Sequence, residues 1–252
     1  MGGTADLEVG LFDWGGTLLE VYEAFIIILT FLLLNVPIFI SLYEYVFKDM
    51  SLAAKFAIGV VYWSAAFLVH ELAPFIGVLI LLSKVHRKAE VEIHVRDINI
   101  WSATAGDIIF VAGATLVFKA IINQINKLYV YFLNIYFNME AKPQEIVEEF
   151  AYGEMYYKVM LFILVVILAP FVEEYIFRYY IYDKLLLKSM PHAAAAIIST
   201  LLFTLLHFNI SGIPTFLGLG LYCTFIYERK GFYGAVTAHL VSNLATVVLL
   251  IV

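Results

Sequence analysis

The chain has 252 residues, of which 63% are hydrophobic and only 14% are charged, with a formal net charge of −6. Soluble domains carry about 25% charged residues, so this composition excludes an ordinary soluble protein and predicts a membrane protein. The acidic balance argues against nucleic acid as a partner. Cys223 is the single cysteine, which excludes an internal disulfide and a metal cluster held by several cysteines.

The first apolar segments read as membrane spans. A span needs roughly 20 apolar residues, so a chain of this length has room for about six to eight. Hydropathy predicts a first span at 24–47 and a second apolar segment at 52–83, which is long for one crossing. This second segment contains His70, Glu71 and Pro74 near its centre. We interpret it as one kinked span, although a span followed by an interfacial helix also fits the pattern.

The middle of the chain alternates polar and apolar segments. A basic stretch at 84–106 precedes a predicted span at 107–126. The aromatic segment 128–137 either extends that span or lies in the membrane interface, where Tyr and Trp are enriched. The following segment, 138–157, is rich in glutamate and is predicted to be the longest soluble loop.

The last 95 residues are punctuated more regularly by proline and glycine. Pro191 and Pro214 are expected near helix starts, where their missing N–H is harmless, while Gly212 and Gly231 are expected to break helices. The predicted helices are 158–188, 191–207, 214–228 and 232–252.

No internal repeat or low-complexity linker divides the chain, so we predict one membrane-embedded domain, 1–252, with its functional core at 158–248. The fold class is all-α: a polytopic membrane helical bundle of about seven to eight transmembrane helices, with the active site in the C-terminal four.

Three ionisable residues lie within six positions of the apolar segment 158–188. These are Glu173, Glu174 and Arg178. An ionisable residue at the centre of a membrane helix costs about 2.5–3.5 kcal/mol on insertion scales and marks a functional site by default. Glu174 and Arg178 are spaced i,i+4, as an ion pair requires. Glu173 points about 100° away and is left for another role. A buried ion cluster that only sets helix register is the structural alternative.

Two further polar pairs recur at i,i+4 spacing on the following helices. Phe203 and His207 share one face, and so do His239 and Asn243. Small residues near the second pair, Ala235 and Ala238, would allow another helix to approach closely. The structural alternative for His239 and Asn243 is a hydrogen bond that joins two membrane helices.

These side chains together describe a hydrolytic site. A carboxylate in apolar surroundings becomes basic enough to take a proton from water, and a neighbouring histidine can orient that water. A second histidine with an amide one turn away offers donors to the oxyanion of a tetrahedral intermediate. The pattern therefore indicates attack of water on an amide without a covalent enzyme intermediate.

The successive motifs resemble those of the CPBP intramembrane protease family, which includes type II CAAX prenyl endopeptidases and bacteriocin-processing and immunity proteins. They are Glu173-Glu174-Tyr-Ile-Phe-Arg178, Phe203-Thr-Leu-Leu-His207 and His239-Leu-Val-Ser-Asn243, with the glycines Gly212, Gly218 and Gly220 between the second and the third. The resemblance covers roughly residues 158–248.

The resemblance implies a metal-independent endopeptidase without a cofactor. Glu173 would activate the water with help from His207, and His239 and Asn243 would form the oxyanion site. The supporting residues would be Glu174, Arg178 and Phe203, the last as a wall of the pocket. The substrate would be a membrane-associated or prenylated protein or peptide. The expected partners are that substrate and the lipid bilayer, and the expected location is the cell membrane, as an integral multi-pass protein.

Two other functions remain open at this stage. Glu173, His207 and His239 offer two nitrogens and one oxygen, which would suit a catalytic zinc ion with an open position. A non-catalytic membrane scaffold or a bacteriocin-immunity protein of the same fold would keep its biological effect in a Glu173→Ala variant. Metal analysis of the purified protein separates the zinc enzyme from the glutamate-dependent one.

Overall fold

The structure is a computed structural model that describes residues 14–69, 72–89, 103–139 and 153–251. Within these residues there is no strand and there are seven helices, five of them long and apolar enough to cross a membrane. The predicted all-α polytopic bundle is therefore confirmed. The helices are α1 Trp14–Tyr45, α2 Leu52–Val69, α3 Leu72–Ala89, α4 Ala105–Phe137, α5 Met155–Lys188, α6 His192–Leu205 and α7 Ile213–Ile251.

The prediction of one kinked span at 52–83 is wrong, because α2 and α3 are separate helices that fold back on each other. A Cβ placed on Gly77 of α3 would lie 3.6 Å from the ring of Tyr62 in α2. Fifteen residues of continuous helix would separate these positions by about 22 Å. Pro74 lies in the first turn of α3, where an N–H has no partner within the helix, so it is compatible with a helix start rather than a kink. His70 and Glu71 lie outside the described residues.

Helix α4 is 33 residues long and includes the aromatic segment 128–137. A capping box begins it: the Thr104 side chain accepts from the Asp107 N–H, and the Asp107 carboxylate accepts from the Thr104 N–H. Asn138, in the left-handed conformation with φ 52°, ends it. The segment 128–137 therefore continues the same helix as the predicted span. Most of the predicted acidic loop, 140–152, lies outside the described residues.

Helix α5 carries the glutamate pair and departs from regular α-helical geometry on both sides of it. Residues Ile163–Leu168 and Tyr175–Leu185 form π-helical turns, and the α-helical Ala169–Glu174 lies between them. π-Helical turns inside α-helices are frequent at functional sites. Phe171, two residues before the pair, packs edge-to-face on Phe75 of α3 at a centroid distance of 5.7 Å. The N-terminal helices thus contact the region of the glutamates.

Helix α7 is divided by Gly231, which has φ 68° and ψ −169°, so the predicted break between two C-terminal helices is confirmed. The half before this residue packs closely on its neighbours through two glycines. A Cβ on Gly218 would lie 2.6 Å from Ile122 of α4, and one on Gly220 would lie 2.7 Å from Thr200 of α6. The half after Gly231 carries His239 and Asn243 back past α5.

Candidate active site

The adjacent glutamates occupy different environments. The Glu174 side chain is completely buried, whereas that of Glu173 is 21% exposed. This difference follows from the helical offset of about 100° between neighbouring residues, which turns the two side chains toward different surroundings. The Glu173 side chain is therefore partly exposed, although its Oε2 atom is buried, whereas the Glu174 side chain is enclosed.

Arg178 holds the buried glutamate in the way the spacing predicts. Its Nε lies 3.1 Å from Glu174 Oε2, and both side chains are at most 1% exposed. Its Nη2 donates to the Gly220 carbonyl oxygen at 3.3 Å, and its guanidinium lies over the Phe203 ring, 4.7 Å from the centroid. The ion pair thus ties α5 to both α6 and α7.

His239 lies between the two glutamates. Its Nδ1 is 2.7 Å from Glu174 Oε1, a hydrogen bond between fully buried groups. Its Nε2 is 3.7 Å from Glu173 Oε2, which is longer than a hydrogen bond. Because an ionised carboxylate only accepts, the Nδ1 carries the proton of the first contact. The chain from Arg178 through Glu174 to His239 fixes the imidazole plane and aims Nε2 at the Glu173 carboxylate.

Phe203 lies at the centre of the packing around the site. The side chain is completely buried. Its ring contacts the rings of His207 at 4.6 Å and His239 at 5.7 Å, measured between centroids. Its expected role as a wall of the pocket stays a prediction. Its role in the structure is to separate and orient the two imidazoles and the guanidinium.

His207 follows the end of α6 and is held in a defined orientation. Its Nδ1 donates to the Phe203 carbonyl oxygen at 2.8 Å, since a carbonyl only accepts. Phe216 of α7 stacks on the imidazole at a centroid distance of 3.9 Å. In the neutral ring the lone pair is consequently on Nε2, the nitrogen that is able to accept a proton.

Asn243 makes an interhelical hydrogen bond that the sequence reading considered only as a structural alternative. Its Nδ2 donates to the Val165 carbonyl oxygen of α5 at 2.9 Å. In the π-helical pattern this carbonyl would accept from the N–H five residues later, as Leu164 does from Ala169. That later residue is Pro170, which has no N–H. The amide of Asn243 therefore satisfies a carbonyl that the proline leaves without its backbone donor.

The set of potential metal ligands differs from the one that the zinc alternative requires. Among the described residues, the His, Cys and carboxylate atoms that lie within 4.8 Å of one another belong to Glu174, Cys223 and His239. Glu173 and His207 do not join such a group. The guanidinium of Arg178 already occupies one Glu174 oxygen, and its positive charge opposes a cation at the same carboxylate.

Two contacts of this site could not be predicted from the spacing of residues in the sequence. Glu174 and His239 are 65 residues apart, and Val165, the partner of Asn243, is an ordinary apolar residue. The only hint was Pro170, which marks a carbonyl in need of a donor. Cys223, also fully buried beside the cluster, is an apolar-looking residue that sequence reasoning did not connect with the site.

Comparison with known proteins gives a family match for the segment that contains this site. Residues 156–245 match the family model described as type II CAAX prenyl endopeptidase Rce1-like. The matched segment contains α5 except its first residue, α6 and most of α7, so it includes all the site residues described above. No curated protein and no solved structure matches the chain.

The match confirms the resemblance to the CPBP family drawn from the three motifs. It supports, in general terms, a membrane endopeptidase of the CAAX-protease type and an integral multi-pass membrane protein that acts on protein or peptide substrates.

Proposed function

We propose that the protein is a membrane-embedded, glutamate-dependent endopeptidase in which Glu173 activates the attacking water. The observation that carries this proposal is the different exposure of the two side chains, 21% for Glu173 and none for Glu174. A general base must reach both water and substrate, whereas a carboxylate bonded to Arg178 and His239 is committed to holding other groups. The substrate would be a membrane-associated or prenylated protein or peptide, and the location the cell membrane.

The charges of the cluster support a specific role for His239. Two ionised carboxylates and one guanidinium leave one negative charge, which an imidazolium at His239 would neutralise. Both ring nitrogens then carry a proton: Nδ1–H donates to Glu174, and Nε2, which lies 3.7 Å from Glu173 Oε2, carries the other on the side of the proposed base. When water attacks the scissile carbonyl, this second N–H would donate to the developing oxyanion.

Asn243 and His207 would complete the reaction. An amide nitrogen has two N–H groups, so the bond to Val165 leaves a second donor for the oxyanion. As the water attacks, its proton would pass to Glu173, and the neutral His207 would accept a hydrogen bond from the water at Nε2. The protonated carboxyl would then give the proton to the leaving amine, which restores the starting state.

The test compares membrane peptides by mass spectrometry from cells that carry the wild type, Glu173→Gln or Glu154→Gln. The amide of Glu173→Gln keeps the shape of the side chain but does not accept a proton, so cleavage should fall by about 10²–10⁴-fold with folding retained. Glu154 is an exposed glutamate at the start of the same helix whose side chain does not cap it, so Glu154→Gln is the matched control. Wild-type cleavage by Glu173→Gln would rule out the general-base assignment.

A further inference from the structure

A polar segment interrupts the apolar surface of α4. Residues 123–127 read Asn-Gln-Ile-Asn-Lys, between apolar residues on one side and the aromatic segment 128–137 on the other. The four polar residues of this segment line a cavity of about 520 Å³, together with Ala120 of α4 and Leu249 of α7. This cavity plays no part in the proposed peptidase chemistry, since none of the site residues lines it.

The cavity lies where lipid headgroups are expected. Asp107, at the other end of α4, forms a partly exposed ion pair with Lys230, and such pairs belong at a membrane surface. The 20 residues from Asp107 to Lys127 rise about 30 Å, which is the thickness of the hydrocarbon core. The polar segment is therefore at the opposite boundary of the bilayer. The tyrosines that follow it in α4 are typical of that boundary.

The lining of the cavity favours an anionic group. Its polar side chains are three amides and one ammonium, with no carboxylate among them. Lys119, one helical turn before Asn123, is only 8% exposed. A buried ammonium inside a membrane helix requires a negative partner. A lysine side chain is long enough to reach across the one turn of about 5.4 Å that separates it from the cavity lining.

A second feature points to a headgroup that also has a donor. The Oδ1 of Asn126 is buried without a hydrogen-bond partner among the described residues. A buried acceptor without a donor costs about 1–3 kcal/mol, so a ligand that supplies an O–H would be favoured. Beside the polar segment, the side chains of Ile121, Ile125 and Leu128 are 47–70% exposed and offer a surface for acyl chains.

We propose that this cavity binds an anionic phospholipid whose headgroup carries hydroxyl groups. The phosphate would lie between the ammonium groups of Lys127 and Lys119, and a headgroup hydroxyl would donate to Asn126. Basic pockets between membrane helices are a known way of binding anionic lipids, and each lysine near the surface contributes about 1 kcal/mol. The binding is independent of peptide hydrolysis.

The test measures binding of short-chain lipids to the purified full-length protein in neutral detergent. Dioctanoyl phosphatidylglycerol should bind at least about tenfold more tightly than dioctanoyl phosphatidylcholine, whose choline cancels the phosphate charge. Lys127→Gln should raise the Kd for phosphatidylglycerol about fivefold, the factor that corresponds to 1 kcal/mol. Lys119→Met should raise it by at least as much, and Lys48→Gln, at an exposed lysine in the α1–α2 connection, should change it by less than about twofold.

Equal binding of the two lipids, with no effect of Lys127→Gln, would overturn the proposal and leave only a nonspecific apolar crevice. Competition by inorganic phosphate or by a peptide with a free carboxylate, without binding of the lipid, would also overturn it in favour of a soluble anion or a substrate terminus. If Lys119→Met does not fold, the variant Lys127→Gln, at an exposed lysine, and the comparison of the two lipids still show whether the cavity binds an anionic phospholipid. Because the readout is lipid binding, its failure is separate from any failure of the peptidase assignment.

Discussion

The N-terminal helices α1–α3 and the C-terminal helices α5–α7 are both apolar bundles, but they bury different kinds of side chain. In α1–α3 the described buried polar residues are neutral, Asn35 and Ser41. In α5–α7 the buried set includes a carboxylate, a guanidinium and an imidazole that contact one another. Neutral pairs join helices at little cost, whereas buried charges need several partners in one geometry. We therefore expect substitutions in the two regions to differ in kind as well as in size.

The largest effect on stability is expected from breaking the buried ion pair. Glu174→Gln leaves the guanidinium of Arg178 buried without its counter-charge, and a loss of about 3–5 kcal/mol in the free energy of unfolding is expected. Reversible unfolding in detergent measures it. The double variant Glu174→Gln/Arg178→Met should recover part of that loss, because no charge is left unpaired. Additive losses in the double variant would show that the pair is not coupled.

The next effect concerns Asn243 and distinguishes the oxyanion role from the interhelical bond. Asn243→Ala should lower kcat by about 10²–10³-fold with little change in KM, because a donor to the oxyanion acts in the transition state. It should also lower stability by about 1–3 kcal/mol, since the Val165 carbonyl loses its donor. Thr246→Val, which removes a hydrogen bond within α7, serves as control. A loss of stability with unchanged kcat would leave Asn243 a purely structural residue.

Close packing in the C-terminal bundle should be sensitive to a single methyl group. Gly220→Ala would place a Cβ 2.7 Å from Thr200, so we expect a loss of about 1–3 kcal/mol in unfolding free energy. Gly113→Ala is the matched control, because no atom lies within 4 Å of its Cβ position and alanine favours a helix by up to about 1 kcal/mol. Opposite signs for the two variants are expected. A neutral Gly220→Ala would mean that α6 and α7 separate easily.

The smallest effect is expected in the N-terminal bundle. Tyr62 donates to Asn35 Oδ1 at 3.2 Å between α2 and α1. Tyr62→Phe removes this neutral bond and should cost about 1 kcal/mol of stability. The rate of peptide cleavage, measured on the same preparation, should be unchanged. A fall in kcat comparable to that of Asn243→Ala would show that α1–α3 act directly on the site and would remove the distinction between the two regions.

The sequence predicted the C-terminal elements better than the N-terminal ones for a physical reason. Gly231 and the prolines near 191 and 214 interrupt the backbone, so the helix boundaries around them are local properties. The segment 52–83 is apolar almost throughout, and the polar residues near its centre, His70 and Glu71, suit a kink as well as a boundary between two helices. Hydropathy reports the transfer of side chains into lipid, which is the same for one bent helix and for two antiparallel ones.

In the candidate site, too, some contacts follow from spacing in the sequence and others depend on how the helices pack. The i,i+4 ion pair of Glu174 with Arg178 lies on one helix, so its spacing in the sequence was enough to predict it. The hydrogen bond from His239 to Glu174, the burial of Phe203 and the bond from Asn243 to Val165 join different helices. Which glutamate side chain is enclosed and which is partly exposed depends on how those helices pack. Spacing along one helix is a property of the chain, whereas contacts between helices exist only once the tertiary structure has brought them together.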